Sequence, residues 1–281
     1  MSSNIIIANK AKFNRLKKNF VKGGPEKLHV IADFDKTLTP AFIGGKPFQS
    51  IISILRNGNY LSPDYAAKAH ALFEKYHKME IDRSISLVKR KMAMREWWSK
   101  HFKLLIKCGL HEKDILSVVN SGNLRLRKGT DKLFKTLNKN NVPIIIFSAT
   151  GLGETIPLYL KKKNLLDANI FTITNTFTWD KNGNATGINK PIIHSLNKNE
   201  RTIHHSVVYK NTKQRKNIIL LGDSVSDVDM ATGFKYDNIL KIGFLNEKIE
   251  EKLALYKKNF DALILNDGNF DFVNELLREI M

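Results

Sequence analysis

The sequence predicts an α/β fold, in which a parallel sheet is flanked by helices and a helical segment is inserted after the first strand. Three apolar runs, at residues 28–32, 142–147 and 217–221, have the nearly continuous hydrophobic character of buried parallel strands. Each run is followed directly by polar or small residues. The long stretch between the first two runs instead shows helical periodicity, which predicts the insertion.

The N-terminal segment is basic, a property that it shares with transit peptides. Its apolar residues favour a packed helix instead, because Phe13, Leu16 and Phe20 recur at helical spacing. The Gly-Gly pair at 23–24 follows as a stop signal. We therefore predict an N-terminal helix that leads into the first strand.

The segment between the first two strands is too long for a single crossover connection. Residues 62–78, 84–107 and 111–120 show helical periodicity, and the first of these begins with the helix-start signal Ser-Pro-Asp. We predict a helical cap domain at residues 45–125. Residues 1–44 and 126–281 then form the core, into which a helix at 130–140 returns.

The remaining strands are predicted from weaker patterns. Residues 171–179 alternate like one strand, and Asp180-Lys-Asn-Gly-Asn184 is a hairpin turn signal. Residues 239–242 and 262–265 are short apolar runs that add a fourth and a fifth strand to the core.

Length and composition are those of a globular protein. The chain has 281 residues, of which 42% are hydrophobic, and no apolar run has the length needed to cross a bilayer. The single cysteine, Cys108, excludes an internal disulfide and fits a reducing compartment. We expect a cytoplasmic location and no membrane association.

The net charge of +19 arises from 46 basic and 27 acidic residues. Such a charge attracts anions, including nucleotides and nucleic acids. The lysines are scattered and interleaved with asparagines, whereas nucleic-acid binders concentrate their charge in a patch. A composition bias is favoured over a nucleic-acid surface, so no specific nucleic acid is expected.

The first strand ends in two carboxylates, Asp33 and Asp35, followed by Thr37. Two like charges at the end of a buried strand are costly unless a cation or proton compensates them. A helix cap explains one of these residues but not the pair. Asp33 is placed to attack phosphorus as a nucleophile, and Asp35 to transfer protons. Mg²⁺ suits such a site because it binds carboxylate and phosphate oxygens.

The other two strand ends carry complementary groups. Ser148 offers a hydroxyl beside backbone N–H groups that can bind phosphate, although a turn or cap role explains it equally well. Asp223 is a further metal-ligand candidate, and Asp227 can support the metal or anchor a lysine. A lysine is needed to neutralise charge on the phosphoryl group, and the pattern leaves both Lys190 and Lys198 open.

Together these motifs resemble the haloacid dehalogenase (HAD) phosphatases, which share Asp-x-Asp-x-Thr, a strand-end Ser, a lysine and Gly-Asp-Ser-x-x-Asp in this order. The chain further resembles the cytosolic pyrimidine 5′-nucleotidases from about residue 13 onward. The matching blocks are Lys22 to Thr39, Phe147-Ser-Ala149, His194-Ser-Leu-Asn-Lys198, Ile218 to Ser224, Lys241 to Asn246, and Glu96-Trp97-Trp98.

The resemblance implies a HAD-like Rossmannoid core with an α-helical cap, and it assigns roles by position. Asp33 would be the nucleophile and Asp35 the acid and base. Mg²⁺ would bind Asp33, the backbone carbonyl of Asp35 and Asp223. The remaining implied residues are Ser148 and Ala149 for phosphate, Lys198 as the lysine, and Asp227 as support for the lysine or the metal shell.

The implied reaction is Mg²⁺-dependent hydrolysis of pyrimidine nucleoside 5′-monophosphates such as UMP and CMP. In the cap, the resemblance implies that Glu80 contacts the base, although position alone indicates a surface acid at a helix end. Trp97 is either a base-stacking ring or a core residue. We expect a monomer or weak oligomer.

Three alternatives remain open from sequence. In the first, the substrate is another small phosphate monoester or 7-methylguanosine monophosphate. In the second, the enzyme transfers the phosphoryl group to a nucleoside. In the third, the protein binds nucleic acid on an inactive phosphatase fold. One departure from the family pattern is an apparent insertion, Thr150, in the phosphate loop.

Overall fold

A computed structural model describes residues 4–199 and 207–281. The strands are β1 (Ile5–Ile7), β2 (Leu28–Asp33), β3 (Phe42–Ile43), β4 (Lys46–Pro47), β5 (Ile144–Leu152), β6 (Ile170–Asn175), β7 (Phe177–Trp179), β8 (Ala185–Ile188), β9 (Asn217–Gly222), β10 (Asn238–Leu245) and β11 (Ala262–Leu265). The helices are α1 (Lys10–Gly23), α2 (Ile51–Asn57), α3 (Tyr65–Ile81), α4 (Leu87–Lys107), α5 (Glu112–Asn120), α6 (Thr130–Lys139), α7 (Thr155–Lys162), α8 (Val207–Thr212), α9 (Ile249–Asn259) and α10 (Asp271–Ile280).

Seven strands form the central sheet in the order β1-β11-β10-β9-β2-β5-β6. All neighbours pair in parallel except β1, which is antiparallel to β11. After β6 the chain returns to the other side of β2 to form β9, so the strand order reverses beside β2. Ligands of open α/β sheets bind at such a reversal, outside the carboxyl ends of the strands.

Both faces of the sheet are covered, which explains the continuous apolar runs. In β2, Val30 and Ala32 join one buried cluster, which also contains Phe20 of α1. Ile31 lies in the other, with Phe234. Since successive strand residues point to opposite faces, each face needs an apolar residue, and the predicted α/β class with a parallel sheet is confirmed.

The N-terminal helix is also confirmed. Asn9 caps α1, because its side chain accepts a hydrogen bond from the backbone N–H of Lys12 at 2.9 Å. Phe13, Leu16 and Phe20 are buried. The preceding strand β1 was not predicted, since three isoleucines carry no periodicity that distinguishes an edge strand.

The helical insertion follows β2, as predicted, but its helices begin later. Both α3 and α4 start three residues beyond the predicted positions. At α3 the Ser-Pro-Asp signal forms a turn in front of the helix, in which Tyr65 N donates to Ser62 O at 2.9 Å. The unpredicted α2 contacts β5, and α5 contacts α7. No helix within the described residues is long and apolar enough to cross a bilayer.

Two predicted strand boundaries are wrong. Residues 171–179 form two strands, because the buried Asn175 ends β6 by bonding through its amide side chain to the Ala149 and Ile193 carbonyls, each at 2.9 Å. β7 then pairs with β8 in a separate hairpin. In addition, β5 does not end at Phe147 but continues to Leu152, with a shift of register against β6.

Candidate active site

The acid pair lies where β2 leaves the sheet. Asp33 is the last residue of β2 and is 5% exposed, and the chain then turns tightly through 34–38. Lys36 adopts the left-handed region at φ 60°, which reverses the chain directly after Asp35. Arg127 stabilises this turn, since its guanidinium donates a hydrogen bond to the Thr37 carbonyl at 2.8 Å. Both carboxylates therefore lie on a constrained backbone.

Lys198 connects the end of β2 to the turn that follows β9. Its ammonium group donates a short hydrogen bond to Asp33 Oδ1 and lies 3.4 Å from Asp227 Oδ1. The side chain of Lys198 is buried. Lys190, the other lysine that the sequence left open, is exposed. The structure thus brings Lys198, and not Lys190, to the acid pair.

The end of β9 supplies two further carboxylates. Asp227 Oδ2 accepts from Ser224 N at 2.9 Å and fixes the turn after Asp223. A Cβ on Gly222 would lie 2.5 Å from Asp227 Cβ, so the close approach requires glycine. Carboxylate oxygens of Asp33, Asp223 and Asp227 all lie within 4.8 Å of one another. These three residues are called the acid cluster below.

The acid cluster carries more negative charge than its surroundings neutralise. Burial raises the pKa of Asp33 well above its usual value, against the attraction of Lys198, and the charges of Asp227 and Asp223 raise it further. Burial, with the Asp227 charge, raises the pKa of Asp223 to about 7. Although burial opposes it, the carboxylates raise the pKa of Lys198. Lys198 is the one cation paired with this cluster in the described part of the chain.

The cluster fits a divalent cation. Three carboxylates converge on one point. Burial and then the charge of Asp227 raise the pKa of both Asp33 and Asp223, and a cation at this point would offset both effects. Carboxylate oxygens are the ligands that Mg²⁺ prefers. The side chain of Asp35 is not part of this cluster. The predicted metal ligand from Asp35 is its backbone carbonyl, which stays a prediction.

Asp35 is held instead by the segment that follows Phe147. Its Oδ2 accepts a short hydrogen bond from the Thr150 hydroxyl, with the Ser148 hydroxyl at 3.5 Å. Burial raises the pKa of Asp35, while the bond from Thr150 and the charge of Lys198 oppose that rise. Sequence reasoning noted Thr150 only as an insertion and found no signal for this contact.

The predicted phosphate-loop residues take two positions. Ser148 is fully buried, and its Oγ accepts from Gly151 N at 2.9 Å. Ala149 and Thr150 line the open cleft. The phosphate-binding role of Ser148 and Ala149 stays a prediction.

One cleft of about 1030 Å³ joins the acid cluster to the helical insertion. At one end it is lined by Asp33, Asp35, Lys198 and the residues after β9. At the other end α3 and α4 contribute Phe73, His77, Glu80 and Trp97. The cleft is therefore charged at the sheet edge and aromatic under the helices.

Glu80 lies at the cleft and not on an outer surface. Oε2 accepts from His77 Nδ1 at 3.0 Å, and Oε1 accepts from the Ser195 hydroxyl at 2.5 Å. Burial raises the pKa of Glu80, but the bonds from His77 and Ser195 outweigh it and keep the pKa below its usual value. Glu80 is thus an ionised acceptor facing the cleft. Ser195 is a contact that sequence reasoning missed.

Trp97 combines both predicted characters. The ring is 8% exposed and packs in a buried cluster with Tyr76, Met94 and Leu196. It stacks on Tyr76 at 6.1 Å between centroids. It also lines the cleft, and its Nε1 makes no hydrogen bond within the described residues. Trp97 is mostly a core residue with one edge toward the cleft.

Comparisons with known proteins find relatives over most of the chain. The model of the family described as Pyrimidine 5′-nucleotidase (UMPH-1) matches residues 36–281. The 7-methylguanosine phosphate-specific 5′-nucleotidases of Mus musculus and Homo sapiens are each 36% identical over 261 residues, which cover 92% of this chain and 87% of theirs.

Solved structures resemble the chain as well. Cytosolic 5′-nucleotidase IIIB bound to cytidine superposes with a TM-score of 0.91 at 30% identity, covering 100% of this chain and 94% of that one. A HAD family hydrolase from Salmonella enterica has a TM-score of 0.56 at 13% identity, covers 96% and 80%, and shows the fold alone.

Fold and relatives together define a hydrolase of phosphate monoesters on a HAD-like phosphatase fold with a helical cap. Within that class, the chain belongs to the pyrimidine 5′-nucleotidase (UMPH-1) family.

Proposed function

We propose that the protein is a Mg²⁺-dependent 5′-nucleotidase that hydrolyses nucleoside 5′-monophosphates through an aspartyl-phosphate on Asp33. The observation that carries this proposal is the single cleft that joins the acid cluster to Glu80 and Trp97. A phosphate at the cluster and a base under the helices use both ends of this cleft. We also expect a cytoplasmic location, consistent with the cytosolic relative.

The chemistry divides between the two aspartates. Asp33 Oδ attacks phosphorus, forming one P–O bond while the bond to the 5′-oxygen breaks, and Asp35 gives that oxygen its proton. Asp35 then takes a proton from water as the water oxygen bonds to phosphorus and the Asp33–phosphorus bond breaks. Lys198 offsets the negative charge on the phosphoryl oxygens and on Asp33.

Mg²⁺ completes the proposed site. Asp33 and Asp223 would hold it with the backbone carbonyl of Asp35, and Asp227 would support both the ion and Lys198. When bound, Mg²⁺ offsets the repulsion between substrate phosphate and carboxylates and orients the phosphoryl group.

The base end favours substrates with exocyclic amino groups. Glu80 is an ionised acceptor, and cytosine and 7-methylguanine both carry an amino donor that uracil lacks. The relatives point to the same two bases, since one structure is bound to cytidine and the curated proteins are named for 7-methylguanosine phosphate. We propose CMP and 7-methylguanosine monophosphate as substrates, with UMP hydrolysed less efficiently.

Phosphate release from CMP, UMP, 7-methylguanosine monophosphate, GMP and AMP, with Mg²⁺ and with EDTA, tests this proposal. We expect Mg²⁺-dependent release, with the highest kcat/KM for the first and third of these. Asp33→Asn should abolish release while a matched variant of an exposed acid, Asp131→Asn, retains it. Release by a clean Asp33→Asn preparation would refute the mechanism. Salt-sensitive RNA or DNA binding without phosphate release would replace the proposal with a binding function.

A further inference from the structure

Thr150 lies in a bulge of β5 that places its side chain beside Asp35. Phe147 of β5 pairs with Ile173 of β6, and the next pairing joins Leu152 to Asn175. Four residues of β5, 148–151, therefore lie opposite a single residue of β6, Thr174. Bulges of this kind re-aim side chains and occur next to active sites.

The bulge is fixed by its own contacts. Gly151 N donates to Ser148 Oγ at 2.9 Å, and Asn175 Nδ2 donates to the Ala149 carbonyl at 2.9 Å. A Cβ on Gly151 would lie 2.7 Å from Thr174 Cγ2, so the chain is packed closely here. Thr150 is consequently presented from a rigid segment.

From this segment Thr150 reaches the carboxyl group of Asp35. The Thr150 hydroxyl donates to Oδ2, and the backbone N–H of Ile51, at the start of α2, also favours the charged form of this carboxyl group. The Thr150 bond thus fixes the orientation of a carboxyl group that lines the cleft. Within the described residues, the Ser148 hydroxyl, at 3.5 Å, is the second side-chain donor to Oδ2.

We propose that Thr150 is a positioning residue for Asp35: by holding Oδ2 it fixes the orientation in which the carboxyl group exchanges a proton with the 5′-oxygen and later with water. This inference rests on the proposed role of Asp35 as acid and base. Thr150 does not touch the reacting atoms. It restricts the rotation of the carboxyl group about its terminal torsion, which is otherwise broad.

The consequence is a loss of rate and not of binding. General acid–base catalysis contributes about 10²- to 10⁴-fold, and misplacing the catalytic group by about 1 Å forfeits about 10²-fold. Removing the hydroxyl while keeping the shape should therefore lower kcat. Thr150 makes no hydrogen bond to Glu80, the proposed base contact, so KM should change little.

The test compares Thr150→Val, which lacks the hydroxyl, with Thr150→Ser, which retains it. Thr186→Val is the matched control, since Thr186 is exposed on β8. For CMP we expect Thr150→Val to lower kcat at least about 10-fold with KM within about twofold, and Thr150→Ser to recover to within about threefold of wild type. Circular dichroism and the melting temperature verify that each variant is folded.

A second substrate separates positioning from general damage. The leaving group of 4-nitrophenyl phosphate departs without a proton, so its kcat/KM does not depend on acid catalysis by Asp35. We expect the kcat/KM of Thr150→Val to fall much less for this ester than for CMP. Equal losses on both substrates, no loss on CMP, or failure of Thr150→Ser to recover would overturn the inference.

Asp35→Asn distinguishes this inference from the proposed function. If Asp35→Asn is inactive on CMP and a folded Thr150→Val is not impaired, the inference fails and the mechanism stands. If Asp35→Asn retains wild-type kcat on CMP, the role of Asp35 itself is wrong, and the inference fails with it.

Discussion

Ser195 donates a hydrogen bond to Glu80 Oε1 at 2.5 Å and so joins the loop after β8 to the end of α3. Three residues further on, Lys198 reaches Asp33. Between them, Leu196 packs into the buried cluster that contains Trp97. One short loop therefore contacts both the helical insertion and the acid cluster, and it relates the base end of the cleft to the phosphate end.

The Ser195→Ala variant should weaken nucleotide binding more than turnover. A hydrogen bond to a charged group is worth about 1.5–3 kcal/mol, which corresponds to at least about a tenfold change in KM when it orients a substrate contact. We expect KM for CMP to rise about tenfold with kcat within about threefold. Ser117→Ala, at a half-buried serine of α5 outside the cleft, is the control. An equal rise in KM for 4-nitrophenyl phosphate, which has no nucleobase, would contradict this explanation.

Replacing Lys198 should remove most of the activity. Without its ammonium group the acid cluster loses its paired cation, and loss of one preorganised stabilising group typically costs about 10²- to 10³-fold in kcat. Lys198→Met keeps the length of the side chain, and Lys190→Met is the matched control at an exposed lysine. Steady-state kinetics on CMP decide the matter. If the kcat of Lys198→Met lies within tenfold of the wild-type value, Lys198 is not the residue that neutralises the phosphoryl charge.

Mg²⁺ should stabilise the folded protein even without substrate. A ligand that binds only the native state stabilises it by about 2.7 kcal/mol at one hundred times its Kd. The melting temperature should therefore rise on titration with MgCl₂ and fall back with EDTA. Asp223→Asn removes one carboxylate of the acid cluster and should reduce the shift, whereas Asp131→Asn should not. An identical shift in Asp223→Asn would place the binding outside this cluster.

Acid should destabilise the fold through His29. Burial lowers the pKa of His29 from 6.5 to about 4, and its Nδ1–H donates to the Arg215 carbonyl at 2.8 Å. Its Nε2 makes no hydrogen bond within the described residues, so a second proton there has no acceptor. Between pH 6.5 and 4 the unfolded chain binds a proton that the native state does not. The free energy of unfolding is therefore highest above pH 6.5 and falls toward pH 4.

The size of this effect follows from the shift, at about 3 kcal/mol for a pKa lowered from 6.5 to about 4. Urea unfolding from pH 7.5 to 4.5 measures it. His29→Asn retains an N–H donor but does not titrate, so we expect a shallower pH dependence. His70→Asn, at an exposed position on α3, should leave the profile as in wild type. A parallel profile in His29→Asn would assign the acid sensitivity to other groups.

Local patterns predicted the elements whose signals lie within the sequence itself. The apolar runs of β2, β9 and β11 lie where the sequence placed them, because strands buried on both faces need an uninterrupted hydrophobic stretch. The helical insertion followed from its length and periodicity. The edge strand β1 and the short α2 lack such signals, since only their neighbours in the folded chain stabilise them.

The same distinction holds at the site. Asp33, Asp35 and Asp223 were found because polar residues at the ends of parallel strands meet at one edge of the sheet. The choice between Lys190 and Lys198 was not decided by residue spacing; the family resemblance indicated Lys198, and the fold places it against Asp33.

The sequence by itself determined the fold class, the acid pair and the phosphatase-like chemistry, since these depend on residue order along single strands. Only the tertiary structure decided what surrounds them. Ser195 meets Glu80, and Thr150 meets Asp35, across separations of 115 residues in each case. No local periodicity encodes such contacts, because the packing of the helical insertion and the register shift in β5 bring these side chains together.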